Sequence, residues 1–289
     1  MIAVSIVSYN TSSLLKKLLE NLNSQKDIKP EIWVVDNNSS DDSVEMIKKN
    51  FPKVNLIESK QNLGFAKGQN LALRKIKSPQ ILILNPDTDF KNDTLSKMSR
   101  FMEDNPEIGI ASCKILDSKG QLASNGGDLP FGIALLSWLF NFDNEGFPSF
   151  HRSDKTFYNS KNVGWVGGTF MWIKKEVLEK ASYFNEDYFM YFEDVELCYK
   201  AGKKNYKIGF NPDVEITHLS GASSKNPQFT QWKGEMQGLI HFSHKNFGAI
   251  YGLIVGILVR LALLLRIVAF AVLGKLDYSG IYMKVLMSL

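Results

Sequence analysis

Cysteine is scarce in this chain, which has two cysteines and four histidines among its 289 residues. Cys113 and Cys198 show neither the spacing of a disulfide framework nor that of a metal site. We therefore expect no disulfide and no cysteine-based metal site, and the composition fits a reducing compartment.

An excess of one charge sign is also absent from most of the chain. The net charge is +4, yet residues 1–244 carry 29 basic and 29 acidic side chains. From Lys245 onward, five basic residues stand against the single acid Asp277. A nucleic-acid-binding protein would show a basic face on its folded body, so no nucleic-acid partner is expected. The basic C-terminal segment instead favours contact with an anionic membrane surface.

Signals for targeting and for phosphate-binding loops are missing as well. The N-terminus, MIAVSIVSYN, lacks the basic flank of a signal peptide and is too short to be one. The segment GFAKGQN, from Gly64 to Asn70, has neither a P-loop nor a dinucleotide-binding fingerprint. Its glycines are expected to begin a helix that touches a nucleotide. The chain has no internal repeat and no low-complexity tract.

Short β-branched runs alternate with amphipathic segments through the first 116 residues. Helices are expected behind Thr11 or Ser12 and behind Ser40 or Asp41, where apolar residues recur at helical spacing. Nearly continuous apolar strands between helices predict an α/β fold with a Rossmann-like, mostly parallel sheet flanked by helices. The predicted strands are Ala3–Val7, Glu31–Asp36, Val54–Glu58, Ile81–Leu84 and Ile108–Ile115.

Polar residues follow three of these strands at their carboxyl ends. Ligands of open parallel sheets bind beyond the carboxyl ends of the strands, so the three clusters should line one crevice. The clusters are Ser8, Tyr9 and Asn10 after the first strand, Asp36 to Ser39 after the second, and Asn85 to Asp89 after the fourth.

The stretch ILILNPDTDF ends a buried strand in two carboxylates, Asp87 and Asp89. Oxygen ligands on a rigid strand end suit Mg²⁺ or Mn²⁺, which in turn hold phosphate oxygens. A plain turn is the alternative, because Asn, Pro and Asp are common turn residues. The position of the pair at a strand end, in register with the other two clusters, favours the metal site.

Asp36 and His218 also end apolar runs. The carboxylate of Asp36 is suited to accept hydrogen bonds from a nucleobase or a ribose, with helix capping as the alternative. His218 ends the run EITH ahead of the loop LSGASS, where it could be a third metal ligand or a structural residue.

Glu193 and Asp194 open the segment EDVELCYKA, directly after the aromatic cluster YFMYF. Negative charge at the start of a helix interacts favourably with the helix dipole, which is a purely structural explanation. Among aromatic side chains, however, burial raises the pKa of a carboxyl group and suits it to accept a proton from a hydroxyl. The pair is therefore a candidate general base.

The second half of the chain is less regular. Residues 117–162 are rich in Gly, Asn, Asp, Ser and aromatics, which predicts a long, partly ordered insertion over the site. Next, VGWVGGTFMWI is predicted as one strand, KKEVLEKA as a short helix and YKIGFNPDVEITHL as two short strands.

An apolar segment from Phe247 to Gly274 follows, interrupted by Arg260 and Arg266. About 20 apolar residues suffice to span a bilayer, and the glycine repeat at residues 248, 252 and 256 suits close helix packing in membranes. A helix in the membrane interface and a soluble helix at a dimer contact are the alternatives.

Several motifs together resemble the family 2 inverting glycosyltransferases of the GT-A fold, and most of all their rhamnosyltransferase-like branch. The resemblance covers residues 1–245 in order. Its motifs are SIVSYN, VVDNNSSDDS, NLGFAKGQN, LNPDTD, GWVGGTFMWIKKEVL, YFEDVELCYKA and the later His218.

This resemblance implies a role for each matching residue. Asp36 is similar to the aspartate that contacts base and ribose, Asp194 to the catalytic base with Glu193 beside it, and His218 to the histidine that approaches the metal or diphosphate. Asp87 is similar to the metal-binding aspartate of the D-x-D region, with Asp89 as a further ligand. Asn85 stands where many relatives have the first aspartate. The implied nucleotide-binding set is Ser8, Tyr9, Asn10, Asp36, Asn38, Gly64, Asn70 and Asn85.

The resemblance also implies a division of the chain and an activity. Residues 1–116 would be the nucleotide-binding half and 117–245 the acceptor and catalytic half of one domain, with residues 246–289 forming membrane-associated or dimerisation helices. The implied reaction is metal-dependent, inverting transfer of one sugar from a nucleotide-sugar, foremost dTDP-rhamnose. The acceptor would be a glycan or a lipid-linked hydroxyl at the cytoplasmic membrane face, in cell-surface polysaccharide synthesis. The Q-x-x-R-W signature of processive members is absent.

Two other functions are compatible with parts of the pattern. A nucleotidyltransferase also places carboxylates at strand ends, but it needs a glycine-rich, basic N-terminal loop, which SIVSYNTSS does not provide. A non-catalytic, membrane-anchored sugar-binding module would be expected to lose the carboxylates, yet Asp36, Asp87 and Asp194 are all present.

Overall fold

A computed structural model of the chain describes residues 1–142, 147–219 and 227–289. Within these residues, nine strands form one mixed sheet and two short strands form a separate ribbon. The strands are β1 Ile2–Ser8, β2 Glu31–Asp36, β3 Asn55–Glu58, β4 Gln80–Leu84, β5 Thr88–Phe90, β6 Ile108–Leu116, β7 Leu122–Ala123, β8 Gly126–Gly127, β9 Trp165–Val166, β10 Phe170–Lys174 and β11 Lys207–His218.

The helices of the described residues cover both faces of this sheet, and the last three follow the final strand at the C-terminus. They are α1 Ser12–Ser24, α2 Ser43–Asn50, α3 Gly64–Leu73, α4 Thr94–Asp104, α5 Gly132–Phe140, α6 Lys155–Tyr158, α7 Lys175–Lys180, α8 Glu193–Gly202, α9 Pro227–Phe247, α10 Ala249–Val272 and α11 Leu276–Met287. Helix α2 begins later than the sequence indicates, because the side chain of Asp41 accepts hydrogen bonds from the backbone N–H groups of Ser43 and Ser12.

The sheet order is β3-β2-β1-β4-β10-β6-β11-β5, with β7 paired to β6. The strands β1 to β4 are mutually parallel, and β6 and β11 are parallel as well. Alternate residues of β1 divide between two hydrophobic cores: Ala3 belongs to one, and Ile2, Val4 and Ile6 to the other. Side chains of a strand alternate between faces, so each face is covered. The prediction of an α/β fold with a Rossmann-like, mostly parallel sheet and an apolar C-terminal helix is confirmed.

Two strand predictions need correction. VGWVGGTFMWI forms not one strand but two. β9 pairs with β8 in the separate ribbon, and β10, which follows residues 167–169, lies antiparallel between β4 and β6 in the main sheet. YKIGFNPDVEITHL forms one strand, β11, rather than two. Its register against β6 shifts between Asn211 and Glu215, so the strand absorbs the irregularity around Pro212 as a bulge and continues.

The C-terminal helices pack on the hydrophobic core that contains Phe192 and Phe242. Val255, Val259 and Leu263 of α10 are fully buried and belong to the same core as Phe192 and Phe242. A Cβ atom on Gly252 would lie 2.3 Å from the His244 ring, so this glycine serves a contact between α9 and α10. Gly252 of the glycine repeat is thus used for packing within the chain.

Candidate active site

The first two polar clusters meet at the carboxyl ends of β1 and β2. Ser8 pairs with Asp36 in the parallel register. The Asn10 backbone N–H donates to Ser39 Oγ at 3.0 Å, and Asn10 Oδ1 accepts from the Ser40 N–H at 2.7 Å. Asn10 adopts a positive φ of 54°, which Asn tolerates better than most residues. The expected crevice edge is therefore formed here, with Tyr9 exposed beside it.

Asp36 is buried in this edge and is only half satisfied. Its Oδ2 accepts a hydrogen bond from the Ser39 N–H at 3.0 Å. Its buried Oδ1 has no hydrogen-bond partner among the described residues. Buried polar atoms are almost always hydrogen-bonded, and a hydroxyl or N–H of a ligand would supply the missing donor. This orphan oxygen agrees with a nucleotide-binding role for Asp36.

Asn37, which the sequence analysis did not single out, organises the next part of the wall. Its buried side chain donates to Asn62 Oδ1 and to the Gly64 carbonyl, and it accepts from the Leu63 N–H. The neighbouring Asn38 is exposed, with a φ of 68°. The only sequence signal was the run DNNSS, in which two adjacent asparagines carry different tasks.

Gly64 and Asn70 bind the segment that leads to the acidic pair. A Cβ atom at Gly64, where φ is +77°, would lie 2.2 Å from the Phe189 carbonyl oxygen. The adjacent Phe65 N–H donates to that oxygen at 2.7 Å. Asn70 is fully buried, and its amide is bonded to the backbone of Phe184 and to Glu186. These contacts give both residues a structural role; nucleotide contact by either stays a prediction.

The structure separates Asp87 from Asp89. Asp87 is buried, and its Oδ1 lies 3.1 Å from His218 Nε2. Asp89 is exposed, and its Oδ1 accepts from Asn21 Nδ2 at 2.8 Å and from the Phe90 N–H at 3.0 Å. Asp87 lies in the turn before β5 and Asp89 lies within β5, so the two side chains have different surroundings. Residues 220–226 of the expected loop after His218 lie outside the described residues.

Asp194 and Glu193 begin α8 as expected, in different environments. Asp194 accepts hydrogen bonds from the Gly168 N–H at 3.1 Å and from its neighbour Val195 N–H at 2.8 Å. Burial raises the pKa of Asp194 to about 6, against the opposing effect of these two N–H groups. Burial and the adjacent Asp194 raise the pKa of Glu193 well above its ordinary value, and Glu193 Oε2 has no partner among the described residues.

The backbone before the acidic pair is unusual. Tyr191 and Phe192 both adopt positive φ, at 73° and 76°. Non-glycine residues held in this region carry strain, which concentrates at functional sites. Both conformations are supported by packing, since Phe192 stacks on Phe150 at 5.2 Å.

A short chain of contacts links the third cluster to Asp194. The Asn85 N–H donates to the Thr169 carbonyl at 3.0 Å. The N–H of Gly168, which precedes Thr169 in the chain, donates to Asp194. Asn85 also accepts from the Thr88 hydroxyl through its carbonyl. The turn after β4 and the start of α8 therefore both form hydrogen bonds with the segment between β9 and β10.

The donor set of this site fits a divalent cation. No group of three or more His, Cys, Asp or Glu side chains arranged to hold a metal occurs in the described part of the chain. Mg²⁺ and Mn²⁺ sites that bind phosphorylated substrates need only one or two protein carboxylates, with phosphate and water completing the shell. Asp87 with His218 meets that requirement.

Solved structures share this architecture. The mannosyltransferase PcManGT from Pyrobaculum calidifontis, solved with GDP-Man and Mn²⁺, gives a TM-score of 0.61 at 19% identity, covering 98% of this chain and 78% of that one. At this identity the likeness concerns the fold alone. The likeness and the sheet order define the class of fold, which is GT-A.

The sequence comparison narrows this class to one family. Residues 3–181 match the model of the family described as "Glycosyl transferase family 2", and the chain belongs to that family. It is therefore an enzyme of the glycosyltransferase class. The expected likeness to rhamnosyltransferases is also confirmed by the relatives.

Two of these relatives come from different domains of life. The low-salt glycan biosynthesis hexosyltransferase Agl10 of Haloferax volcanii is 27% identical over 221 residues, covering 75% of this chain and 66% of the relative. The N-acetylglucosaminyl-diphospho-decaprenol L-rhamnosyltransferase of Mycobacterium tuberculosis (strain H37Rv) is 22% identical over 242 residues, covering 78% of each. These names support sugar transfer in glycan synthesis as the general activity.

Proposed function

We propose that this protein transfers one sugar from a nucleotide-sugar to a hydroxyl group, with inversion at the anomeric carbon. The observation that carries the proposal is Asp194, a buried carboxylate at the start of α8 whose pKa is raised to about 6. A general base works best when its pKa lies near the working pH and its position is fixed. Two backbone N–H groups fix Asp194.

The proposed roles follow from the placement of each residue. Asp194 accepts the proton of the acceptor hydroxyl as its oxygen forms a bond to the anomeric carbon and the bond to the nucleotide diphosphate breaks. Asp36 binds the nucleoside part through its unpartnered Oδ1. Asp87 and His218 would hold a divalent cation, which would supply neutralisation of charge on the departing diphosphate. Glu193, whose pKa is raised well above its ordinary value by burial and by the adjacent Asp194, lies beside the base.

The proposed donor is dTDP-rhamnose, and the proposed acceptor is a glycan or lipid-linked hydroxyl. The support is the resemblance of the motifs to the rhamnosyltransferase-like branch, together with a relative named for L-rhamnosyl transfer to a decaprenol-linked sugar. We expect dTDP-rhamnose to raise the melting temperature in the presence of Mn²⁺ more than UDP- or GDP-sugars do. A larger rise with a UDP- or GDP-sugar would overturn the donor assignment and leave sugar transfer itself in place.

We further propose that α10 rests in the interface of an anionic membrane. Within the described residues, Ala249–Val272 is long and apolar enough to cross a bilayer, with a mean hydropathy of 2.5. One side of this helix is packed on the protein, which favours a position in the membrane interface over a span. The other side is an exposed apolar stripe, which comprises Ile250, Leu253, Ile254, Ile257, Leu261, Leu264, Leu265, Val268 and Val272.

The surroundings of the apolar stripe favour a lipid surface over a second copy of the chain. Arg266 joins α10 to α5 by donating to the Trp138 carbonyl at 2.7 Å and to Asn141 Oδ1 at 2.8 Å. Lys275 and Lys284 are exposed nearby. A two-fold contact would bring like charges together, whereas anionic headgroups attract them. An exposed apolar face with basic flanks is typical of interfacial helices.

Serine at Ile257, Leu261 and Leu264 should weaken membrane binding. The triple variant removes apolar side chains that would enter the acyl boundary, and we expect at least about a tenfold loss of binding to phosphatidylglycerol-containing vesicles. Co-sedimentation measures the effect, and valine at the same three positions is the matched control that should still bind. If the wild type forms dimers that the serine variant does not form, and neither protein binds vesicles, this face is a dimer contact.

A further inference from the structure

The buried amide of Asn125 has no part in the roles assigned so far. Asn125 lies between β7 and β8 in the insertion of residues 117–162, and only 6% of the residue is exposed. Its Nδ2 donates to Ser112 Oγ at 2.9 Å. Its Oδ1 accepts no hydrogen bond from any described residue. This oxygen is therefore able to accept a hydrogen bond from a ligand.

The hydrogen bonds around Ser112 fix the direction in which this amide points. Ser112 is fully buried, and its hydroxyl donates to the Phe170 carbonyl at 2.7 Å. A hydroxyl has one proton to donate, so Ser112 Oγ can only accept from Asn125. The NH₂ group of the amide therefore faces Ser112, and Oδ1 faces the other way, towards Gly167.

Gly167 and Gly168 bring this oxygen close to the candidate base. A Cβ atom on Gly167 would lie 2.4 Å from Asn125 Oδ1 and 3.7 Å from Asp194 Oδ2, so both oxygens border the same small region. The Gly167 N–H donates to the Asn125 carbonyl at 2.9 Å, and the Gly168 N–H donates to Asp194 Oδ2 at 3.1 Å. Gly167 has no positive φ, so the close approach of Asn125 is what requires glycine at this position.

The order of contacts along residues 167–169 places Asn125 on the acceptor side of the base. The first of these residues contacts Asn125, the second donates to Asp194, and the third accepts from the Asn85 N–H. Asn85 precedes the turn that carries Asp87, where the diphosphate is proposed to depart. Inversion requires the attacking hydroxyl and the leaving diphosphate to lie on opposite sides of the anomeric carbon. The end at Asn125 therefore belongs to the acceptor.

We propose that Asn125 is a specificity-determining residue, whose Oδ1 accepts a hydrogen bond from a second hydroxyl of the acceptor sugar, beside the hydroxyl that Asp194 deprotonates. The inference rests on the proposed function of Asp194 as the base. Neighbouring hydroxyls of a sugar ring suit two hydrogen-bond acceptors that border one small region. A site built to bind a hydroxyl discriminates against an analogue that lacks it. The acceptor class is thus a sugar with two neighbouring free hydroxyls.

Acceptors that differ by one hydroxyl test the assignment. The probes are octyl N-acetylglucosaminide and its analogues that each lack one ring hydroxyl, with dTDP-rhamnose as the donor. Among the analogues that still accept a sugar, the wild type should use the one without the second hydroxyl about tenfold less well in kcat/KM than the complete glycoside. In Asn125→Ala this preference should disappear, because the oxygen that recognises the second hydroxyl is absent. Ser124→Ala, which changes the exposed neighbour, is the matched control and should retain the preference.

Titration of the donor separates acceptor recognition from donor recognition. Asn125→Ala should bind dTDP and dTDP-rhamnose in Mn²⁺ as the wild type does, because Asn125 contacts the end of residues 167–169 that is opposite to Asn85. Loss of dTDP-rhamnose binding with retained dTDP binding would assign Asn125 to the donor sugar and overturn the proposal.

Two further results would overturn the proposal. An equal fall in kcat/KM for every glycoside in Asn125→Ala would leave this residue a structural role. A retained preference in that variant would mean that another residue recognises the second hydroxyl. Asp194→Asn, measured in parallel, keeps these results apart from a failure of the proposed function, since wild-type turnover in that variant would refute the base itself.

Discussion

Asparagine at position 194 should reduce sugar transfer by about 1,000-fold while donor binding stays nearly unchanged. The amide is close in size to the carboxylate and can still accept a hydrogen bond from the Gly168 or Val195 N–H. It cannot accept a proton from the acceptor hydroxyl. Turnover measured at saturating donor, together with calorimetric titration of the nucleotide, distinguishes loss of the base from loss of folding.

Glutamine at position 193 is the matched control for this substitution. Burial and the neighbouring Asp194 raise the pKa of Glu193 well above its ordinary value, and glutamine keeps the size of this side chain while removing its acid group. We expect no more than about a tenfold reduction in transfer. Unchanged turnover in Asp194→Asn, or an equal loss in both variants, would show that Asp194 is not the base.

Asparagine at position 87 should remove most of the metal dependence of donor binding. Asp87 is the buried carboxylate of the D-x-D region, 3.1 Å from His218. Without its charge, we expect a divalent cation to be held poorly and donor affinity in Mn²⁺ to fall by roughly 100-fold. Titration of dTDP in Mn²⁺ and in EDTA measures the effect without any need for turnover.

Asparagine at position 89 is the comparison that the fold offers. Asp89 is exposed and bonded to Asn21 of α1, so the change should lower the melting temperature slightly and leave the metal dependence in place. A wild-type protein that binds dTDP equally in Mn²⁺ and in EDTA would exclude the cation from donor binding. Loss of metal dependence in Asp89→Asn alone would exchange the roles of the two aspartates.

The sequence indicated the strands and polar clusters of the first 116 residues well because these signals are local. Apolar runs of β-branched residues ended in polar clusters, and parallel pairing then required Ser8, Asp36 and Asn85 to lie on one edge. The acidic pair was found for the same reason, since Glu193 and Asp194 begin a helix after aromatic residues. These inferences needed only periodicity and the geometry of a parallel sheet.

Other features depend on contacts between distant segments and could not be inferred from local pattern. The insertion of β10 between β4 and β6 is decided by pairing partners far apart in the chain. The contact between Glu235 and His151 is one example. The sequence places Glu235 in a helix like an ordinary surface residue, and His151 lies in an irregular segment. Asp87 and Asp89 are two residues apart, a spacing that would place both side chains on one face of a strand. Their separation, with Asp87 in a turn and Asp89 in β5, was therefore visible only in the structure.

The helix that we propose contacts a membrane, α10, is also needed for the fold, because its other side is buried in the hydrophobic core. Burial of each of the side chains Val255, Val259 and Leu263 stabilises the fold by about 2 kcal/mol. Together these contributions are a large part of a typical net stability of about 5–15 kcal/mol. Removal of the chain after Phe247 would therefore produce an unstable protein, and its inactivity would say nothing about lipids. Shortening the chain would therefore be a costly way to abolish the proposed membrane contact, and surface substitutions on α10 are the more accessible route.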